Sequence, residues 1–158
     1  MVDNMNVIEV ELQTNRWRPI IDLYNYETLI DTGAVVPVFS VPMEFLAVRF
    51  NAKLIKDNVY FGGFGGGKSY GSIYSLSNFY IKKLHFKTLE CFIPYTPDKS
   101  FSIILSAPLF YHIGYEFRAY ENKLILKIPD DKLTNNEFLI TNLSDKICVQ
   151  MNGVMLNG

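Results

Sequence analysis

The feature that most constrains this chain is the run Leu29-Ile30-Asp31-Thr32-Gly33-Ala34. Strand-forming apolar residues end abruptly in a carboxylate, a hydroxyl and a glycine. Asp, Thr and Gly are ordinary turn residues too, so the run alone implies no more than a strand that stops. Asp-Thr-Gly occurs once. Chemistry that needs two such carboxylates has to take the second from another copy of the chain, which places the site on a two-fold axis.

The flanking pattern is that of strands. Ile8, Val10 and Leu12 alternate with Glu9 and Glu11, as on a half-buried strand. Ile20 to Leu23 and Thr28 to Ile30 read as a hairpin about Tyr24-Asn25-Tyr26-Glu27. Ser40 is placed to cap a short helix through Pro42 to Leu46. Val59-Tyr60-Phe61, Ser69 to Leu76, Phe79 to Leu84, Phe92-Ile93-Pro94 and Ser102 to Leu105 are further strands. Ser106 can cap a single short helix with Pro108 in its first turn. Tyr115 to Tyr120 and Lys123 to Ile128 form a hairpin about Glu121-Asn122. Twelve Phe and ten Tyr favour pleated surfaces. The expectation is an all-β fold with one or two short helices. The protein domain spans 1–129, followed by a C-terminal extension over 130–158 whose Phe138-Leu139-Ile140 and Ile147-Cys148-Val149 can supply strands to a dimer interface.

Charge and cysteines narrow the function classes. A net charge of −1 offers no electrostatic case for nucleic acid or for an anionic membrane surface. No apolar run approaches membrane-spanning length. Cys91 and Cys148 form no CxxC, and His85 and His112 stand at no zinc-site spacing from them, so no metal is expected. The two thiols read as buried, and both His as residues without partners. With no basic stretch leading into an apolar run at Met1 to Asn6, the expected location is the cytoplasm.

A carboxylate at a strand end suits one chemistry well. Hydrolysing a peptide bond without a metal or covalent intermediate requires a base to activate water and an acid to protonate the amide. Two carboxyls sharing one proton supply both, because like charges in contact cannot both ionise. Asp31 is then the catalytic carboxylate. Thr32 can bond across to the second chain and hold the loop, and Gly33 lets backbone approach the carboxylates.

Two other segments bear on that chemistry. Tyr60-Phe61-Gly62-Gly63-Phe64-Gly65-Gly66 sets a hydrophobic residue between glycine pairs. Ile103-Ile104-Leu105-Ser106-Ala107-Pro108-Leu109-Phe110-Tyr111-His112-Ile113-Gly114 joins paired apolar residues to a short helix ending in Ile-Gly. Together with Asp-Thr-Gly, and in that order, they resemble the retropepsins, the retroviral-type aspartic proteases. The resemblance implies a closed β-barrel, one lobe per chain, working as a homodimer without cofactor. It implies a glycine-rich flap over an extended peptide or protein substrate, and a strand passing behind the catalytic loop. Asp31, Thr32 and Gly33 would be catalytic; Ala34, Phe61, Gly62, Gly63, Phe64, Gly65 and Gly66 would bind substrate. Ser106 stands where the family usually has Gly. Val35 and Ala107 stand where retroviral members have a paired Asp and Arg, so both partners are absent together.

Two alternatives remain. The same fold could grasp an extended peptide without cleaving it. Gly62 to Ser69 also satisfies G-x-x-x-x-G-K-[ST], in which Lys68 would meet phosphates and Ser69 magnesium; that nucleotide site needs a helix after the glycines.

Overall fold

The computed structural model of the chain describes residues 5–13, 18–62, 68–97, 101–110, 113–129 and 136–143. It is mostly β, as the alternation predicts. A first strand, β1 (Met5–Glu11), is followed by the hairpin β2 (Ile20–Leu23) and β3 (Tyr26–Asp31). Its turn is Tyr24-Asn25, both at positive φ (53° and 68°), the backbone a two-residue hairpin turn requires. Tyr24 pays about 1–3 kcal/mol for that conformation. Its ring lies against Phe45, Phe50 and Phe79, at 6.3, 5.0 and 5.6 Å. Contacts of this kind contribute about 0.5–1.5 kcal/mol each, enough to offset the strain. The Tyr24 hydroxyl also accepts the Tyr80 N–H at 3.0 Å.

After β4 (Val38–Phe39) comes helix α1 (Met43–Phe50). Leu46 and Phe50, four residues apart, bury one face of it. The expected Ser40 cap is not what starts α1. Pro42 occupies the N-cap with no side-chain bond, and the helix runs past Leu46 until Asn51 adopts a left-handed conformation (φ 51°). Three long strands follow: β5 (Lys53–Gly62), β6 (Lys68–Ile81) and β7 (Leu84–Pro94). The two strands expected over 69–84 are therefore one strand and a turn at Lys82, whose φ is 52°. His85 does have partners: its Nε2 lies 2.7 Å from Asn78 Oδ1 and its ring stacks on Tyr80.

The chain continues through β8 (Ile103–Ser106), a 3-10 turn at Ala107–Phe110, β9 (Gly114–Arg118), a second 3-10 turn at Ala119–Glu121, and β10 (Lys123–Pro129). Within the extension, β11 (Asn136–Phe138) and the short helix α2 (Ile140–Leu143) follow. The strand expected over Phe138-Leu139-Ile140 thus ends at Phe138.

The strands form two sheets. The smaller has the order β1-β10-β9; the larger has the order β2-β3-β8-β4-β7-β6-β5, with β11 parallel on β7. Ile8, Val10, Leu124, Leu126 and Ile128 of the small sheet share one core with Ile30, Phe39, Phe79, Leu105, Phe138 and Ile140. No sheet closes on itself among the described residues, so the expected barrel appears as two open sheets over a common core. They meet where the Gln13 N–H donates to the Ile20 carbonyl at 2.8 Å. Among the described residues no helix is long and apolar enough to cross a membrane.

Candidate active site

Asp31 is the last residue of β3. Leu29 and Ile30 just before it are each only 2 % exposed yet face different clusters. Ile30 enters the main core; Leu29 joins Ile20 and Phe101 in a smaller one, with Ile104 against it. A strand buried on both faces is a rigid support, and here it carries a half-buried carboxylate at its tip. The loop then folds back on that carboxylate. Gly33 N–H donates to Asp31 Oδ1 at 2.9 Å, and Ala34 N–H to the Asp31 carbonyl at 3.1 Å. A β-carbon on Gly33 would lie 3.4 Å from Oδ1, an ordinary van der Waals contact, so the loop backbone passes close beside the carboxylate without crowding it. Thr32 and Gly33 are exposed and Ala34 is half-buried.

Behind the loop, β8 lies between β3 and β4. It runs parallel to β3, pairing Thr28 with Ile103 and Asp31 with Ser106, and antiparallel to β4, pairing Phe39 with Ile103. Two strands consecutive in the chain are thus held apart by a third from far along it, and the Asp31 loop spans the gap. Ser106 is fully buried. It does not cap the following 3-10 turn: among the described residues its Oγ has no hydrogen-bond partner. Val35 is exposed and Ala107 half-buried.

The β5–β6 hairpin carries the glycine-rich segment. Its arms pair Tyr60 with Tyr70, Phe61 with Ser69 and Gly62 with Lys68. Phe61 is 6 % exposed and packs on Phe92 at 4.5 Å, so its side chain anchors the hairpin to the core. Gly62 ends the first arm. Gly63, Phe64, Gly65 and Gly66 lie outside the described residues. Lys68 and Ser69 begin a 14-residue strand, where a nucleotide-binding loop would need a helix N-terminus.

Sequence reasoning missed what fastens this hairpin. Asp57 accepts hydrogen bonds from the Ser72 hydroxyl, the Tyr95 hydroxyl and the Asn58 N–H. The Ser72 bond, then those of Tyr95 and Asn58, hold its carboxyl below the ordinary range. Asn58 is at φ 53°, where the β5–β6 register shifts. The available signal was Asp-Asn inside a strand-forming run, a pair that suits a bulge. Cys91 is a buried free thiol, pushed up by that burial and by Glu90.

Comparison of the chain with protein-family models, with curated proteins and with solved structures returned no match.

Proposed function

We propose that this chain is one half of a homodimeric, retropepsin-like aspartic peptidase, with Asp31 of each copy forming the catalytic pair. The observation that carries the reading is the seating of Asp31. It ends a strand buried on both faces, its Oδ1 is fixed by the Gly33 N–H, and β8 braces the loop from behind. Such a carboxylate is oriented by backbone, which suits a group that must meet its twin at contact distance.

In the pair, the ionised carboxyl takes a proton from water as the water attacks the peptide carbonyl. The protonated one gives its proton to the departing nitrogen. An extended substrate would lie between the pair and the hairpin whose base is set by Phe61 and Asp57, pairing by main chain. Digestion of a peptide library tests this, with Asp31→Asn as control. Cleavage lost in the variant supports it; cleavage that persists removes Asp31 from the chemistry.

A peptide-binding module on the same fold is the second reading, favoured by Ser106 in a position that is usually Gly in the family. It is supported if both the parent chain and Asp31→Asn retain a peptide and neither cleaves it.

A further inference from the structure

Asp31 and Ser106 are partners in the parallel β3–β8 ladder. Partnered residues on neighbouring strands, about 4.8 Å apart, face the same side of the sheet. The clusters bear this out one and two steps down the ladder. Ile30 and Leu105 enter the main core, while Leu29 and Ile104 meet in the smaller one. Asp31 and Ser106 therefore share the face of Leu29 and Ile104.

The two side chains have complementary vacancies. Asp31 Oδ1 takes the Gly33 N–H, and among the described residues nothing donates to Oδ2. Ser106 Oγ is fully buried and, among the described residues, donates to nothing. Between residues 103 and 110 Ser106 is the only polar side chain, the others being Ile, Ile, Leu, Ala, Pro, Leu and Phe. A buried hydroxyl without a partner is a standing cost that Ala would avoid. Packing alone therefore gives no reason for Ser here.

We propose that Ser106 is a positioning residue for the Asp31 carboxylate, its hydroxyl turning to donate to Oδ2 once two chains assemble the pair. This rests on the proposed two-chain site for the contact and on its peptidase activity for the consequence. Hydroxyl rotors have three staggered positions, so the change needs only side-chain rotation. With Oδ1 held by Gly33 and Oδ2 by Ser106, the plane of the carboxyl is set from both sides.

The test compares the parent chain with Ser106→Ala, Ser106→Gly and Ser106→Thr. One readout is kcat and KM on a peptide that the parent cleaves and Asp31→Asn does not. The other needs no activity: the carboxyl carbon resonance of Asp31 in carbon-13-labelled protein, assigned by its loss in Asp31→Asn. The expected result is a fall in kcat of roughly ten- to a hundredfold in both Ala and Gly variants, the range of a hydrogen bond to a charged group. KM and melting temperature should hold, the Asp31 resonance should move alike in both, and Thr should restore both signals. An unmoved resonance in Ala and Gly variants overturns the proposal, whether or not kcat changes. So does a kcat loss that tracks lowered melting temperature. If the parent cleaves nothing but the resonance moves, the peptidase reading fails and the Ser106–Asp31 contact stands.

Discussion

Glu90 Oε1 accepts two hydrogen bonds from Thr141, one from its backbone N–H at 2.9 Å and one from its hydroxyl at 3.0 Å. Glu90 is 5 % exposed, and Phe138 and Ile140 beside Thr141 are buried in the main core. The described part of the extension is therefore fastened to β7 by polar and apolar contacts together. Replacing Thr141 with Val removes the hydroxyl from a buried carboxylate and should cost about 1–3 kcal/mol. Ending the chain before Asn136 also strips two apolar side chains from the core, at about 1.5–3 kcal/mol each. Urea titration should rank the truncation well below Thr141→Val, and equal stability of all three chains would remove this role for the extension.

Gly71 makes a second stability prediction. A β-carbon there would collide with the Ile93 carbonyl oxygen and lie 2.7 Å from the Phe92 ring. The oxygen belongs to backbone in the β6–β7 ladder, so it cannot step aside as a side-chain end could. Gly71→Ala should cost at least the ~3 kcal/mol at the upper end of overpacking. Hydrogen exchange should show the amides of β5 and β6 losing protection first. An Ala variant as stable as the parent would show that these strands do not approach so closely.

The two predictions mark what sequence could and could not reach. Asp31 at a strand tip, the β2–β3 hairpin and the β9–β10 pair were legible because alternation and turn residues are local signals. The lengths of β6 and β7 were not. Ser77-Asn78 looks like a break, although Asn78 holds a positive φ within one strand. Leu89 to Phe92 lose the period-two pattern because all four are buried. The bonds of Asp57 to Tyr95 and of Glu90 to Thr141 join residues 38 and 51 apart, beyond any spacing rule. Ser106 was legible as a helix cap and as a departure from a resemblance; its pairing with Asp31 joins residues 75 apart, and its lack of a partner among the described residues belongs to the fold.

Asp57 predicts a pH dependence. Its carboxyl is held below the ordinary value by the Ser72, Tyr95 and Asn58 donors. A group with a depressed folded pKa contributes stability that is complete above its unfolded value, about 3.9 for Asp, and is lost as pH falls through the folded value. Melting temperature should therefore fall on acidification below about pH 4, and Tyr95→Phe should flatten that fall. At neutral pH Tyr95→Phe should melt lower than the parent, and at strong acid the two should converge. Curves that stay parallel across that range would take Asp57 out of the acid response.

The last prediction concerns the pair itself. Asp31→Asn should abolish hydrolysis and leave the fold intact, because the amide is nearly isosteric and can still accept the Gly33 N–H. It can neither take a proton from water nor give one to the leaving nitrogen, and variant dimers would carry that defect twice. Mixing gives a sharper test than the variant alone. If each active unit needs one Asp31 from each of two chains, refolding equal amounts of parent and variant together yields parent homodimers as about a quarter of the total, by random pairing of identical interfaces. Activity should then drop to about a quarter of an equal amount of pure parent, not to half. It should fall as the square of the parent fraction as more variant is added. A linear fall would mean that each chain works alone, and the two-chain site would have to be given up even if Asp31 proved essential.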